Sequence, residues 1–308
     1  MLVVEGPSGN GIGRSVAPLL GCDFVESRHA LFPDGESEVG IVGPVKGNDL
    51  LLVQSTYPMQ DKRLVELLLL ADCAKKHGAR SIGAIIPYLA YMRQDRLFEG
   101  KGNAVSINAV LEMLSFAGVT SLITVAPHNF ESLSAFKGSV TVVDAAVPLA
   151  EEVKKDVENP FVLAPDEGAM DLARRFAEVL GCDYAYIEKR RDKQTGEVDI
   201  LKEPKADLKG KEVIVVDDMI STGGTIAQAA KFAHSGGASS VIAAAAHLLM
   251  VSNAYDRIKE AGINAIYGTN TVPYGRAHMV DISDAVAAAI RGAAKKRMQG
   301  IDTEANRL

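Results

Sequence analysis

Short apolar runs and longer amphipathic segments alternate along the chain. The segments between the runs, such as DKRLVELLLLADCAKKHG and GTIAQAAKFAHSGG, have the apolar spacing of helices. The runs themselves are nearly continuous in apolar residues, which is typical of parallel strands covered on both faces. They read IGAIIP, SLITVA, FVLAP, EVIVVDD, SVIAAAAH and AIYGTN. The alternation predicts an α/β protein with doubly wound, mainly parallel sheets covered by helices.

The pattern is present twice. LLGCDF at residues 19–24 matches VLGCDY at 179–184, and KGNDLLLVQST at 46–56 matches KGKEVIVVDDM at 209–219. A third pair, KKHGARSIGAIIPYL and AHSGGASSVIAAAAHLL, follows in the same order at a similar displacement. Ordered matches of this kind indicate one domain duplicated. We therefore predict two tandem domains, 1–143 and 144–308, the second ending in an alanine-rich helix from Ser283 to Met298.

The stretch VIVVDDMISTGGTI, from Val213 to Ile226, carries the strongest local signal. Four apolar residues lead into Asp217 and Asp218, which the pattern places at the tip of a buried strand, where α/β sheets bind ligands. Small residues then lead into a helix, whose first N–H groups can bind phosphate. The carboxylates suit sugar hydroxyls or Mg²⁺, so the stretch predicts a sugar phosphate site. The phosphate would bind Ser221, Thr222, Gly223, Gly224 and Thr225.

A plain N-capped helix after a strand is the alternative reading of these residues. In that case the hydroxyl of Ser221 or Thr222 would cap the helix. The two adjacent acids directly after the apolar strand favour the binding site.

Two turns in the N-terminal half also carry candidate chemistry. The segment after IGAII contains Arg93, Gln94, Asp95 and Arg96. The arginines suit a polyphosphate, and the polar residues between them could read a base or orient an arginine. Internal ion pairs in a solvated turn are the simpler reading. LFPDGESEV, at residues 31–39, predicts a hairpin turn because Pro-Asp-Gly is a strong turn signal.

Three further polar positions follow apolar strands or lie in a basic loop. His128 comes directly after SLITVA, and Asp166 comes directly after FVLAP, although either residue type is often purely structural at a strand end. The segment IEKRRDKQTGEVD, at residues 187–199, is either an exposed basic loop or a mobile flap whose cations close on a phosphoryl group.

Two of these segments resemble known motifs. VIVVDDMISTGGTI resembles the phosphoribosyl diphosphate loop of the type I phosphoribosyltransferase fold, and the segment at 91–96 closely resembles the Tyr-x-Arg-Gln-Asp-Arg signature of the ribose-phosphate pyrophosphokinases. The resemblance to that family covers essentially the whole chain. Transferases of this fold generally carry one such domain, whereas the pyrophosphokinases carry two. The chain differs from the family pattern at Ser221, where aspartate is common, and at Ala126, where Asp-Leu-His becomes Ala-Pro-His.

The resemblance implies transfer of the diphosphoryl group of ATP to the anomeric hydroxyl of ribose 5-phosphate, with Mg²⁺. It implies that Lys189 and Arg191 stabilise the transition state and that His128 and Asp166 bind the metal. The sugar phosphate would bind Asp217, Asp218 and residues 221–225. The residues implied to hold ATP are Arg93, Gln94, Asp95, Arg96 and His128, with Phe32, Asp34 and Glu36 from a neighbouring subunit. A clamp shared between subunits implies a homodimer or a dimer-based hexamer.

Composition excludes several other classes. The chain has 308 residues, 47% hydrophobic and 23% charged, with a formal net charge of −6. Neither this charge nor the low aromatic content of 6% favours nucleic-acid binding. Three widely spaced cysteines, no signal-peptide pattern and no long apolar span predict a soluble cytoplasmic protein without membrane partners.

One further motif falls short of its pattern. SGNGIGR, at residues 8–14, resembles a dinucleotide-binding fingerprint, but Arg14 occupies the place of the third glycine. We therefore expect no dinucleotide site there.

Two other functions remain open. A nucleobase phosphoribosyltransferase would use the same loop, but it would need a base pocket and no Arg-Gln-Asp-Arg segment. A regulatory subunit without catalytic activity would have lost essential charges, whereas Lys189, Arg191, Asp217 and Asp218 are present.

Overall fold

The structure, a computed structural model, describes residues 1–98, 100, 102–191, 198–202 and 206–298, without the side chains of 189–191, 198–202 and 296–298. The chain forms two compact units. Unit 1 consists of Met1–Asp144, Asn270–Val272 and the C-terminal segment from Asp281. Unit 2 consists of Ala145–Thr269 and Pro273–Val280.

In its described part, unit 1 contains a seven-stranded sheet in the order β3-β2-β1-β4-β5-β6-β7. Neighbouring strands are parallel except for the hairpin β2–β3. The strands are β1 (Leu2–Glu5), β2 (Asp23–Leu31), β3 (Ser37–Ile41), β4 (Asp49–Val53), β5 (Ser81–Ile86), β6 (Ser121–Val125) and β7 (Ser139–Val143). The helices are α1 (Ile12–Leu19), α2 (Gln60–Lys76), α3 (Ser106–Ala117) and the C-terminal α8 (Ser283–Met298).

The described part of unit 2 contains a six-stranded parallel sheet in the order β15-β14-β13-β12-β8-β9. Its strands are β8 (Pro160–Ala164), β9 (Tyr184–Tyr186), β12 (Glu212–Ile220), β13 (Ser240–Leu248), β14 (Ala265–Thr269) and β15 (His278–Val280). A separate antiparallel pair consists of β10 (Glu188–Arg191) and β11 (Val198–Lys202). The helices are α4 (Ala146–Val153), α5 (Met170–Leu180), α6 (Gly224–Ser235) and α7 (Ala254–Glu260).

The two sheets share one topology. The order β2-β1-β4-β5-β6-β7 in unit 1 corresponds strand by strand to β9-β8-β12-β13-β14-β15 in unit 2. The sequence repeats fall on corresponding elements, because LLGCDF begins at the end of α1 and VLGCDY at the end of α5. The fold class predicted from the sequence, a duplicated α/β domain with mainly parallel sheets, is confirmed.

The apolar runs form the cores. Leu52 of β4 and Ile86 of β5 are fully buried in unit 1, together with Leu67 and Leu70 of α2. In unit 2 the corresponding core joins β12 and β13 to α6, whose small residues, such as Ala229, are fully buried. Truncating one such leucine or isoleucine to alanine typically lowers the free energy of unfolding by about 2–5 kcal/mol. These cores hold the strand ends, and therefore the loops that follow them, in fixed positions.

The C-terminal helix belongs to unit 1, whereas the predicted domains 1–143 and 144–308 place it with the second half of the chain. Helix α8 follows the last strand of unit 2 along the chain but packs on α1 and β7 of unit 1. Val286 and Ala287 are fully buried, and the guanidinium of Arg291 donates a 2.9 Å hydrogen bond to the carbonyl oxygen of Leu19, the last residue of α1. Apolar burial therefore ties this helix to unit 1.

Candidate active site

Strand β12 carries the two acids of the predicted sugar phosphate site. It runs over Glu212–Ile220 and continues past Asp217 and Asp218, which the sequence pattern placed at its tip. The strand is longer because β13 is equally long and pairs with it as far as Ile220. Met219 and Ile220 are buried. The two carboxylates are therefore half-buried, inside the strand and close to its carboxyl end.

The loop after β12 leads directly into α6, as predicted. The helix begins at Gly224, and its N-cap residue is Gly223. Glycine has no side chain, and the helix has no side-chain hydrogen bond at its cap. The alternative in which Ser221 or Thr222 caps the helix is therefore wrong. Thr222 and Thr225 are exposed beside this N-terminus. The first N–H groups of a helix lack intrahelical partners, so this end of α6 is suited to an anion.

Gly223 is required by the shape of this loop. Its φ of 74° is left-handed, a conformation that disfavours any residue with a Cβ atom. A Cβ atom here would also lie 3.0 Å from Cγ1 of Ile258 and 3.1 Å from the carbonyl oxygen of Ala254, both on α7. The loop therefore rests directly on α7, and that contact fixes the N-terminus of α6.

Carboxylates accumulate beside the same loop. Burial raises the pKa of Asp217 well above its ordinary value, and the charges of Asp218 and Asp166 raise it further. Asp166 lies just after β8, the strand that pairs with β12. This part of unit 2 therefore favours a cation or hydroxyl donors.

The cluster fits Mg²⁺ by its chemistry. A preformed group of three or more metal-ligating side chains is absent from the described residues. However, Mg²⁺ usually binds only one or two carboxylates and takes its other ligands from water and substrate phosphates. Of the two predicted ligands, Asp166 belongs to this cluster in unit 2, whereas His128 lies in unit 1.

In unit 1, Asp95 organises the segment that follows β5. The guanidinium of Arg96 donates two hydrogen bonds of 3.0 Å to its carboxylate, and Nδ2 of Asn129 donates a third of 2.6 Å. These hydrogen bonds lower the pKa of Asp95 to about 2, although its side chain is only 5% exposed. Asp95 therefore orients an arginine, one of the two roles that the sequence suggested for it.

The other two residues of this segment differ in their surroundings. Oε1 of Gln94 accepts a 2.6 Å hydrogen bond from Oγ of Ser106, at the start of α3. The side chain is thereby fixed. Arg93 is exposed. The segment thus combines one arginine held by an internal ion pair with a second arginine at the surface.

Asn129 is a residue of this site that the sequence analysis missed. It follows the exposed His128, after β6, and its Oδ1 accepts the N–H of Glu131 at 3.0 Å. Through Asp95 it joins the segments that follow the adjacent strands β5 and β6. Its position beside His128 was the available signal. Ala126, the departure from the family pattern, has a left-handed φ of 38°.

The turn with Phe32, Asp34 and Glu36 connects β2 and β3, as the hairpin prediction required. Oδ1 of Asp34 accepts the N–H of Glu36 at 3.1 Å, and the N–H of Phe32 donates to the carbonyl oxygen of Glu36 at 2.8 Å. Phe32 is 49% exposed. The turn therefore presents an aromatic ring and two acids from a closed backbone conformation.

A buried carboxylate fastens this hairpin to α2. Glu66 is completely buried and accepts hydrogen bonds from Oγ of Ser37 at 2.9 Å and from Arg63 at 2.8 Å, and Nε2 of His29 lies 3.1 Å from it. Burial acts to raise the pKa of Glu66, but the hydrogen bonds from Arg63 and Ser37 outweigh it, so the pKa is lowered. One side chain thus joins β2, β3 and α2.

The glycine-containing loop at 8–14 binds a carboxylate of the protein itself. Glu5 accepts the N–H groups of Gly13 at 3.4 Å and Arg14 at 3.2 Å, at the N-terminus of α1. A Cβ atom on Gly9 would lie 2.3 Å from Cγ of Glu5. An external phosphate would have to displace this carboxylate to reach the helix.

The predicted catalytic cations lie on the separate antiparallel pair in unit 2. Lys189 and Arg191 belong to β10, where they pair with Ile200 and Val198 of β11. Their side chains, and residues 192–197 of the predicted flap, lie outside the described part of the structure.

Comparison with known proteins assigns both halves of the chain. Residues 1–118 match the model of the N-terminal domain of ribose phosphate pyrophosphokinase, and residues 140–261 match the phosphoribosyl transferase domain. Ribose-phosphate pyrophosphokinases of Saccharolobus solfataricus and Sulfolobus acidocaldarius are 45% and 47% identical to the chain, each over 93% of the chain and 99% of the relative. A crystal structure of phosphoribosylpyrophosphate synthetase from Mycobacterium smegmatis is similar, with 29% identity, a TM-score of 0.83, and 96% and 99% coverage.

The fold is thus that of the type I phosphoribosyltransferase class. Within that class, the chain belongs to the ribose-phosphate pyrophosphokinase family. The family predicted from the sequence is confirmed, as is the prediction of an enzyme. None of the helices in the described residues is long and apolar enough to span a membrane.

Proposed function

We propose that the protein transfers the diphosphoryl group of ATP to the C1 hydroxyl of ribose 5-phosphate. The C1 oxygen attacks the β-phosphorus and loses its proton, while the bond between the β-phosphorus and the oxygen bridging it to the α-phosphorus breaks. The products are AMP and phosphoribosyl diphosphate. The observation that carries the proposal is the N-terminus of α6 with Gly223 as its cap, beside the acids Asp217 and Asp218.

In the proposed complex, the phosphate of the sugar binds the N–H groups and hydroxyls of residues 221–225. Asp217 and Asp218 accept hydrogen bonds from the ribose hydroxyls. Carboxylates placed beside a phosphate-binding helix end cannot bind the same anion, so they are suited to the neutral part of the substrate. Both demands are met by a sugar phosphate.

ATP is proposed to bind the segment Arg93–Arg96 and His128 of unit 1. Asp95 holds one guanidinium in a bidentate pair, and Arg93 is exposed for a phosphate. The turn with Phe32, Asp34 and Glu36 is proposed to contact the adenine of a neighbouring subunit, which implies a homodimer or a dimer-based hexamer.

Asp166, in the carboxylate cluster of unit 2, and His128, in unit 1, are each proposed as a ligand of Mg²⁺. When bound, the ion would neutralise charge on the transferred phosphates. The proposed location of the protein is the cytoplasm, to which its three free cysteines, Cys22, Cys73 and Cys182, are suited.

Phosphorus NMR of the protein with ribose 5-phosphate, ATP and Mg²⁺ tests the reaction. Equal amounts of AMP and a diphosphorylated sugar are expected. Formation of ADP would instead show transfer of a single phosphoryl group and would refute the proposed attack on the β-phosphorus.

Lys189→Ala tests the proposed transition-state contact. Phosphoryl transfer depends on neutralising charge at the transferred group, so we expect kcat to fall about a hundredfold or more. Lys209→Ala, at an exposed lysine of unit 2, is the control and should retain full activity. A Lys189→Ala enzyme with unchanged kcat would exclude this residue from the mechanism.

A further inference from the structure

A cation on α7 contacts the phosphate loop of unit 2. Nη1 of Arg257 donates a 2.9 Å hydrogen bond to the carbonyl oxygen of Thr222, and Nη2 lies 3.4 Å from Oδ1 of Asn253. Arg257 is exposed, so its guanidinium is not an anchor of the protein interior. It joins α7 to the backbone of the loop immediately before α6.

This hydrogen bond sets the direction of one peptide group. In a trans peptide the C=O and the following N–H point in opposite directions. Because the carbonyl of Thr222 is held by Arg257, the N–H of Gly223 points away from it. Gly223 also rests against Ala254 and Ile258 of α7, so the peptide cannot rotate freely. Helix α7 therefore aims a loop N–H group away from itself.

The charge of Arg257 adds to the positive potential at the N-terminus of α6. A Cβ atom on Gly224, the first residue of α6, would lie 3.8 Å from Nη1 of Arg257. Helix N-termini carry partial positive charge and are stabilised by acidic residues, yet the first turn of α6 contains none. A guanidinium beside this helix end adds positive charge where the dipole is already positive. A bound phosphate would compensate both.

We propose that Arg257 is a positioning residue for the phosphate group of ribose 5-phosphate. It orients the peptide between Thr222 and Gly223 and strengthens the positive potential at the N-terminus of α6. This inference rests on the proposed function, since it concerns the same sugar phosphate site.

The test compares Arg257→Ala, Arg257→Gln and Arg257→Lys with the wild-type protein. Ribose 5-phosphate is titrated calorimetrically in the presence of Mg²⁺ and α,β-methylene ATP, in which a methylene group replaces the oxygen between the α- and β-phosphorus atoms, so that the diphosphoryl group cannot be transferred. We expect alanine to weaken binding about ten- to a hundredfold, because a charge-assisted hydrogen bond is lost. Lysine keeps the donor and the charge and should stay within about threefold of wild type. Arg257→Gln keeps a donor but no charge, so its affinity for ribose 5-phosphate should lie between those of the alanine and lysine variants.

Steady-state kinetics distinguishes a positioning role at the ribose 5-phosphate site from a general loss of structure. The KM for ribose 5-phosphate should rise in Arg257→Ala, while the KM for ATP stays within about twofold. Arg174→Ala is the control, because Arg174 is an exposed arginine of α5 whose guanidinium lies 2.8 Å from the carboxylate of Asp171. It should leave both KM values unchanged.

Three outcomes would overturn the inference. The first is an Arg257→Ala protein that binds ribose 5-phosphate with wild-type affinity. The second is an equal rise of KM for both substrates together with a lowered Tm. If the alanine variant does not fold, the third is wild-type affinity for ribose 5-phosphate in both Arg257→Gln and Arg257→Lys. Failure of the proposed function looks different, since the wild-type protein itself would then form no AMP. Weaker binding of ribose 5-phosphate by Arg257→Ala would support the inference even in that case.

Discussion

At position 217 a carboxylate is held where burial and two neighbouring acids oppose its ionisation. Its pKa in the folded protein lies well above the value of about 3.9 expected for an unfolded chain. The folded state therefore binds the proton more tightly than the unfolded state. The stability that Asp217 contributes through this proton is fully present below the unfolded pKa. It is lost as the pH rises through the folded pKa. Binding residues that work against stability in this way are characteristic of active sites.

We predict that Asp217→Asn raises the Tm of the ligand-free protein at pH 7.5, because an amide carries no charge to bury. A gain on the order of 2–4 °C is expected for each 1 kcal/mol of relieved repulsion. The gain should shrink as the pH falls toward the unfolded pKa of about 3.9, because the wild-type side chain then becomes protonated in the unfolded state as well as in the folded state. The same variant should bind ribose 5-phosphate more weakly. Thermal unfolding at several pH values and calorimetry measure the two effects.

Asp183→Asn provides the control, since Asp183 is an exposed aspartate of the same unit. Its Tm should follow the wild-type pH dependence. A Tm for Asp217→Asn equal to or below wild type at pH 7.5 would contradict the repulsion inferred from the carboxylate cluster.

At the scale of single elements, the hairpin β2–β3 depends on a contact outside its own sheet. Strand β3 lies at the edge of the sheet, with only β2 beside it. Glu66 of α2 holds both strands through His29 and Ser37. Because the carboxylate is completely buried, these bonds are little screened by water. The turn that we propose to contact ATP is therefore positioned from α2.

We predict that Glu66→Gln lowers the free energy of unfolding by about 2–3 kcal/mol, because buried hydrogen bonds to a charged group are lost. Hydrogen exchange in residues 27–41 should accelerate, and the KM for ATP should rise more than that for ribose 5-phosphate. Urea unfolding, exchange mass spectrometry and kinetics measure these changes.

The matched control on the same hairpin is Glu38→Gln. Glu38 pairs with Arg28 at the surface, where their side chains are 38% and 64% exposed, so its loss should change stability by less than about 1 kcal/mol. If the two variants were equally destabilised, the hairpin would not depend on the buried carboxylate.

The elements also show what the sequence alone could predict. Continuous apolar runs located the inner strands, because a strand buried on both faces leaves no polar positions. The end of β12 was misplaced because its last residues are paired by β13, a contact that the local pattern does not contain. Likewise, Glu66 stands within LVELLLL and looks like any helical position.

In the loops, too, only features with a local sequence signal were predictable. That residues 221–225 lead into a helix N-terminus was predictable because small residues before a helix are a local signal, whereas phosphate binding there stays a prediction. Asn129 and Arg257 were missed because their roles depend on partners distant in sequence, Asp95 and the carbonyl of Thr222. An arginine in a short helix has no distinctive spacing, and the local signal for Asn129 was its position beside His128.

At the scale of the whole molecule, the duplication and the compact units do not coincide. The predicted first domain, 1–143, ends before the helix that follows its last strand, whereas the predicted second domain, 144–308, includes the helix that follows its last strand. The helix after β7 is α4, which packs on β13 and β14 in unit 2, whereas α8, after β15, packs on α1 and β7 in unit 1. A cut of the chain between the sequence repeats would therefore remove α8 from the unit that it completes.

We predict that Val286→Ala, which shortens a fully buried side chain of α8, destabilises unit 1 selectively. The loss should be about 1–2 kcal/mol, the usual result of removing buried methyl groups. Hydrogen exchange should accelerate in α1 and β7 and stay unchanged in β13 and β14, because α8 packs on the first pair. Ala288→Ser, at an exposed position of the same helix, should alter neither. Faster exchange in β13 and β14 instead would assign α8 to unit 2, as the predicted domain 144–308 requires.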